Sequence, residues 1–192
     1  MHPPSFGTQP LLEGTIIRLR PFREEDLDRL WAMVNDEENR RLTGTHTHVT
    51  RATVGDWYRT RGLTPDRLDL AVATRGDDRC VGEVVLNDLD PDNRSCSLRL
   101  SLIGPSVYGQ GYGSEALRLL LAHAFEGRGL NRVELEVYDH NPRARHVYAK
   151  AGFVVEGRRR QALWWDGRTH DAIVMGLLAS EWRQGSWSRD GG

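Results

Sequence analysis

Three glycines fall within five residues in Tyr108-Gly-Gln-Gly-Tyr-Gly113, directly ahead of a helical stretch. Glycine leaves backbone N–H groups unobstructed, and at a helix start those groups carry the positive end of the dipole. The segment is therefore suited to hold a phosphate or pyrophosphate, although a glycine run also makes tight turns and the loop alone fits that plainer role. A dinucleotide-binding loop is the obvious competitor, since Gly109-Gln-Gly111 matches its start and the acids Glu134 and Glu136 follow at about the right distance. Three details oppose it. Ser114 stands in the third glycine slot, Ser97-Leu-Arg-Leu-Ser-Leu102 alternates where a central parallel strand is apolar throughout, and Gly104-Pro105 separates strand from loop. A P-loop is excluded because Lys150, the one lysine among 26 basic residues, follows Ala149 rather than a glycine. Among the seven histidines, His46 and His48 come nearest to ligand spacing, but no cysteine or acid at ligand distance joins them, and no metal is expected.

The elements around the loop follow from periodicity. Residues 15–20 alternate as a strand that Pro21 stops. Leu27, Leu30, Trp31 and Val34 then lie on one helical face, behind Glu24, Glu25 and Asp26 in the first turn. A weaker helix is predicted over 52–61 and a strand over 68–74. A hairpin of strands 80–88 and 95–103 is joined by the turn-rich residues 89–94. After the glycine loop a helix is predicted over 114–125, with Leu117, Leu120, Leu121 and Ala124 on its buried face, then a strand over 133–137. Asn141-Pro142 opens a helix that Gly152 closes, and strands 153–164 and 169–178 turn at Asp166-Gly167.

Taken together, Tyr108-Gly-Gln-Gly-Tyr-Gly-Ser-Glu-Ala116 and Asn141-Pro-Arg-Ala-Arg-His-Val-Tyr-Ala-Lys-Ala-Gly-Phe153 resemble the GNAT superfamily of acetyl-CoA-dependent N-acetyltransferases, in that family's order and over nearly all of residues 12–182. The closing segments Glu156-Gly-Arg-Arg-Arg160, Trp165-Asp-Gly-Arg168 and His170-Asp171 are similar to the branch holding ribosomal-protein N-terminal and polyamine acetyltransferases. One departure is Tyr108, where the family commonly has glutamine or arginine. The resemblance implies an α/β fold of α+β type, a twisted and mainly antiparallel mixed sheet flanked by helices and splayed at the acetyl-CoA site. It also implies that amides of Gln110, Gly111, Tyr112, Gly113 and Ser114 receive the pyrophosphate, that the pantetheine arm lies along Leu102 and Ile103, and that Asn141, Ala144 and Tyr148 meet the arm and sulfur. Read by itself, Asn141 before Pro142 is also an N-cap, and Tyr148 a core aromatic.

Amide formation needs a neutral amine and a protonated leaving thiolate. Tyr148 is the expected acid. Glu83, on the strand over 80–88, is the expected base, with a dedicated-base-free water chain as the alternative; a one-residue register change would turn Glu83 to the other face. His140 and His146 flank the ligand site without a catalytic role. Glu83, Asp88, Asp90 and Asp92 suggest an acceptor that is cationic in solution: a protein or peptide N-terminus, a polyamine or an amino sugar. A non-catalytic CoA-binding module of the same fold is the rival reading, and a dinucleotide oxidoreductase a distant third.

Composition sets the outer limits. The chain has 192 residues, 39% hydrophobic and 28% charged, which suits one domain and excludes a disordered chain. The domain is expected over 12–183, with flexible tails at 1–11 and 184–192. A net charge of −1 gives no bulk attraction for nucleic acid or anionic membrane, and Arg158-Arg159-Arg160 reads as an exposed edge or a contact to nearby acids. No apolar stretch is long enough for a membrane helix and residues 1–10 lack a signal core, so a cytoplasmic protein is expected. Cys80 and Cys96 are expected as free thiols, far out of register on neighbouring strands. The resemblance, together with the exposed strand of the last hairpin, implies a homodimer by edge pairing.

Overall fold

The computed structural model describes residues 5–62 and 64–185. In chain order these form β1 (Leu12–Glu13), β2 (Ile17–Arg20), α1 (Leu27–Asn35), α2 (Glu37–Thr43), α3 (Arg51–Arg61), β3 (Leu68–Thr74), β4 (Cys80–Asp90), β5 (Ser95–Leu102), α4 (Tyr112–Ala122), β6 (Arg132–Tyr138), α5 (Pro142–Lys150), β7 (Val154–Trp165), β8 (Arg168–Leu178) and α6 (Ala179–Gln184). The eight strands make one sheet in the order β1-β2-β3-β4-β5-β6-β8-β7. Every neighbouring pair is antiparallel except β5 and β6, which run parallel and are joined by the α4 crossover.

Helices cover both faces, which is why all seven residues of β3 are buried. On one side Val84, Leu86 and Leu98 pack with Leu117, Leu120 and Leu121 of α4. On the other, Leu27, Leu30 and Met33 of α1 meet Val54, Ala71 and Cys80. The feature that makes a site is the β5/β6 junction. These strands share only the register pairs Ser95↔Arg132, Cys96↔Val133 and Ser97↔Glu134, although β5 continues to Leu102 and β6 to Tyr138. Beyond Ser97 they diverge, and the sheet opens as a V.

Several expectations are corrected. Residues 5–11 are not a loose tail: Phe6 is completely buried, its N–H donates to the Pro65 carbonyl at 3.2 Å, and Gln9 Nε2 donates to the Asp69 carbonyl at 3.0 Å. Gln184 belongs to α6, while residues 1–4 and 186–192 lie outside the described residues. On α1 the buried face is Leu27, Leu30 and Met33; Trp31 is 40% exposed, with its indole N–H on the Val49 carbonyl. The helix α2 was not expected. The last hairpin turns as expected at Asp166 and Gly167, both with positive φ. Cys80 and Cys96 are free and buried, and burial pushes each thiol up to about 12. No helix among the described residues is long and apolar enough to cross a membrane.

Candidate active site

The V between β5 and β6 is a cleft of about 830 Å³. One end is closed by the glycine loop and the first turn of α4. Gly109 and Gly111 have φ of +74° and +84°, a region that side chains disfavour, and Gly111 sits at the N-cap of α4. This conformation turns the chain so that the first-turn amides, which have no intrahelical partner, open onto the cleft. Gly111, Tyr112, Gly113 and Ser114 all line it. Gln110 does not; its side chain folds back to donate to the Ser106 carbonyl at 2.7 Å.

The loop is fixed from behind by Glu115, whose carboxylate accepts from the backbone N–H groups of Thr15, Ile16 and Ile17 at 2.6–2.9 Å. Burial works against the charged form, but the three donors outweigh it and hold the Glu115 carboxyl below its usual range. The departure at Tyr108 also finds a structural counterpart. The Arg143 guanidinium lies 3.7 Å from the Tyr108 ring centroid, and both residues line the cleft. A cation therefore stands beside the loop, delivered from α5 rather than from position 108.

Along the walls, Leu102 faces the cleft, whereas Ile103 packs into the cluster around α1 and its N–H donates to the Val81 carbonyl. Asn141 caps α5, accepting from the Ala144 N–H at 3.1 Å, and Pro142 occupies the first helical turn. Cap and lining role coincide, since Asn141, Ala144 and Tyr148 all border the cleft. Tyr148 is 7% exposed, its ring meets Phe153 edge-on at 6.0 Å, and its hydroxyl has no hydrogen-bond partner among the described residues. Burial raises the phenol to about 12, so it stays protonated and able to donate at neutral pH.

Glu83 is buried but is not brought into the cleft. In the unbroken part of the β3/β4 register Glu83 stands opposite Ala71, a residue of the α1–α3 cluster, and its carboxylate accepts from Tyr58 Oη at 2.7 Å. Burial, followed by the Glu83 charge, raises the Tyr58 phenol strongly. Ser101, the register partner of Glu83, does line the cleft. Of the other acids noted, Asp88 borders the cleft and Asp90 and Asp92 do not. Two acids whose place in the wall was not anticipated join Asp88: Glu134, at the last β5/β6 pair, and Glu136, on β6 beyond it. Arg132 pairs with Glu134 at 2.9 Å, and Arg159 pairs with Glu136 at 2.6 Å. Arg158 likewise pairs with Asp171 at 3.1 Å, so Arg158 and Arg159 of the arginine run meet nearby acids.

The sequence reading also missed the far wall, formed by Asn39, Leu42, Thr43 and Thr45 of α2 and the loop after it. Its signal was present in the Asp36 cap, which accepts from the Asn39 N–H, and in the left-handed Gly44 stop. The histidine pair behind that loop does not converge on one point: His46 stacks on Trp165 at 5.0 Å and His48 contacts Arg40 at 2.6 Å.

The sequence profile of the acetyltransferase (GNAT) domain matches residues 17–154. The Escherichia coli (strain K12) spermidine N(1)-acetyltransferase is 24% identical, over 86% of this chain and 88% of that protein. A Bacillus subtilis (strain 168) relative, provisionally named ribosomal N-acetyltransferase YdaF, is 35% identical over 101 residues; the match spans about half of each protein, 53% of this chain and 55% of the relative. Among solved structures, a GCN5-related N-acetyltransferase from Brucella melitensis superposes with TM-score 0.77 at 26% identity, covering 95% of this chain and 85% of that one. The Vibrio cholerae spermidine N-acetyltransferase, solved in complex with CoA and spermine, gives TM-score 0.81 at 22% identity, covering 88% and 99%. With a profile match over most of its length and a glycine loop, capped helix and splayed sheet in register with that fold, the chain belongs to the GNAT acetyltransferase family and is an acetyl-CoA-dependent N-acetyltransferase.

Proposed function

We propose that the acceptor is a primary amine that is cationic in solution, namely a polyamine, a protein or peptide N-terminus or an amino sugar, acetylated by direct attack on the thioester. The carrying observation is the acids of the cleft wall, where Asp88, Glu134 and Glu136 stand with Arg99 and Arg143 along the opening between β5 and β6. Arginine partners hold Glu134 and Glu136 in place, and Asp88 is exposed to an incoming cation. The spermidine acetyltransferase relatives fit a polyamine, and the ribosomal name fits an N-terminus.

In this reading the pyrophosphate rests on the amides of residues 111–114 beside Arg143, and the pantetheine arm follows Leu102 past Asn141 and Ala144. The thioester then reaches the open V beside Tyr148. The acceptor must lose a proton before it attacks, because an ammonium has no lone pair. Water in the cleft takes that proton; Glu83 could receive it only by relay past Ser101, since its own carboxylate is engaged by Tyr58. As the tetrahedral adduct collapses, the carbon–sulfur bond breaks, the Tyr148 hydroxyl gives its proton to the departing thiolate, and the second proton shed by the nitrogen returns through water to the Tyr148 phenolate. The domain, with Phe6 and Gln9 packed against it and α6 at its end, acts as one catalytic unit in a cytoplasmic setting.

A panel of spermidine, an N-terminal peptide, an amino sugar and a neutral or anionic amine, assayed by CoA-thiol release, tests the acceptor assignment. Turnover confined to the cationic members is expected, with KM rising at higher ionic strength. Turnover confined to neutral or anionic amines would remove the electrostatic argument.

A further inference from the structure

We propose that Asp139, His140 and His170 form a binding site for a divalent transition-metal ion of the zinc class, separate from the acetyl-CoA cleft. Asp139 and His140 make the turn between β6 and α5, and His170 lies near the start of β8. Their ligand atoms, one from each side chain, all lie within 4.8 Å of one another. His170 Nδ1 is 3.1 Å from Asp139 Oδ1, and His140 Nδ1 is 3.7 Å from that same oxygen. Bonds of roughly 2.0–2.1 Å in a tetrahedral site put ligand atoms about 3.3 Å apart, so small side-chain rotations close the set on one ion.

The surrounding contacts orient these groups as a metal site requires. His140 Nε2 is 3.0 Å from the Arg41 carbonyl, which can only accept, so Nε2 carries the hydrogen and Nδ1 presents its lone pair. Asp139 Oδ2 accepts from the Asp171 N–H at 3.1 Å, which leaves Oδ1 directed at the two rings. Such outer contacts fix the tautomer and aim of ligating side chains.

A simple Asp139–His170 hydrogen bond accounts for two members of the cluster but not for the third. His140 Nδ1 is buried without a hydrogen-bond partner among the described residues, and a buried polar atom left unpaired costs roughly 1–3 kcal/mol. An ion bound between the groups satisfies that atom. Two imidazoles and one carboxylate select a transition ion over Mg²⁺ or Ca²⁺, which prefer oxygen ligands, and three protein ligands leave a fourth position for water. The Asp139 side chain is 39% exposed and gives an ion access from solvent.

The position connects four elements. The Arg41 carbonyl belongs to α2, the turn belongs to β6 and α5, and His170 and Asp171 belong to β8. The flanking residues Tyr138 and Asn141 line the cleft, so the ion would brace the end of the cleft without touching the acetyl-CoA path.

The test is calorimetric titration of the metal-stripped full chain with ZnCl₂, alongside Co²⁺ absorption spectroscopy. One Zn²⁺ is expected to bind at concentrations on the order of 10 μM or below, with an intense cobalt spectrum of low-symmetry four-coordination. His170→Ala and His140→Ala should each weaken binding by about 10-fold to 100-fold. The double variant His46→Ala/His48→Ala should bind as the parent does, and Mg²⁺ should give no heat. Absence of zinc binding at about 100 μM would overturn the proposal, as would binding that survives loss of His140 and His170 but vanishes with His46 and His48. Should either single variant fail to fold, the parent's cobalt spectrum decides: a weak six-coordinate spectrum counts against the site.

Discussion

Replacing Tyr148 by phenylalanine separates chemistry from packing. The ring is buried against Phe153, and Tyr148→Phe leaves that contact in place. Because the hydroxyl has no hydrogen-bond partner among the described residues, its removal strands no protein group; stability should stay within about 1 kcal/mol of the parent. The acetyl-transfer step should slow by roughly 10²-fold to 10⁴-fold, equivalent to about 2.7–5.5 kcal/mol of transition-state stabilisation. Burial lifts the phenol to about 12, so it remains protonated throughout an assay range of about pH 6–9, and the loss should be the same at every pH in that range. Single-turnover measurement of thiol release isolates the step, and calorimetry with acetyl-CoA checks that affinity moves by less than about 3-fold. A parent-like single-turnover rate would make Tyr148 a packing residue and leave the proton to solvent. A variant that lost affinity while keeping its rate would refute the assignment equally.

Gly111→Val adds a side chain at φ +84° with a Cβ 3.3 Å from Ile16 Cδ1, so acetyl-CoA affinity should fall by at least about 10-fold in calorimetry before folding is compromised. Glu83→Gln retains a group that can accept from Tyr58; activity within about 10-fold of the parent is expected, and a loss beyond about 10²-fold at unchanged thermal stability would restore Glu83 as the base. Glu115→Gln should cost about 1–3 kcal/mol in denaturant melts, because two of the three amides can share the remaining carbonyl and the third cannot. The carboxyl is depressed in the folded state, so the parent's stabilisation is full above its ordinary value of 4.5 and fades as pH falls through the folded value; the variant should lack that acid-side loss.

What could be read without coordinates is what short-range chemistry fixes. Gly109 and Gly111 adopt the positive φ that only glycine takes easily, and Asp166-Gly167 turns the last hairpin in the same way. Asn141-Pro142 opens α5 by its own side chain. The missed features depend on partners remote in sequence. Glu115 anchors residues that lie 98–100 positions earlier, and Arg143 reaches Tyr108 from another helix. The facing of Glu83 follows from its pairing with Ala71 on the α1 side of the sheet and from Tyr58 of α3, partners that no local pattern announces. Helix α2 escaped because Leu42 is its one large apolar residue; Asp36 and Gly44 bound the helix, and Asn39 reaches back to the Met33 carbonyl. Phe6 lay hidden among Pro, Gly and Ser, where a single aromatic gave no periodicity to read.

The three register pairs that join β5 to β6 make the reactive opening a mechanical weak point as well. Strands β1 to β5 and strands β6 to β8 are each closed by antiparallel pairing of their own, and the parallel seam between them needs the whole α4 crossover before it can form. Such a connection closes late, because its loop entropy must be met before the contacts return anything. A cosubstrate seated in the seam as proposed would touch the loop side and the α5 side together, and so act as a clamp across the two halves. At a concentration 100 times its Kd it would add about 2.7 kcal/mol to their union. Amide exchange at residues 95–97 and 132–134, together with proteolysis of the segment 104–111, should therefore slow on binding more than exchange in β3, whose strand is paired on both sides.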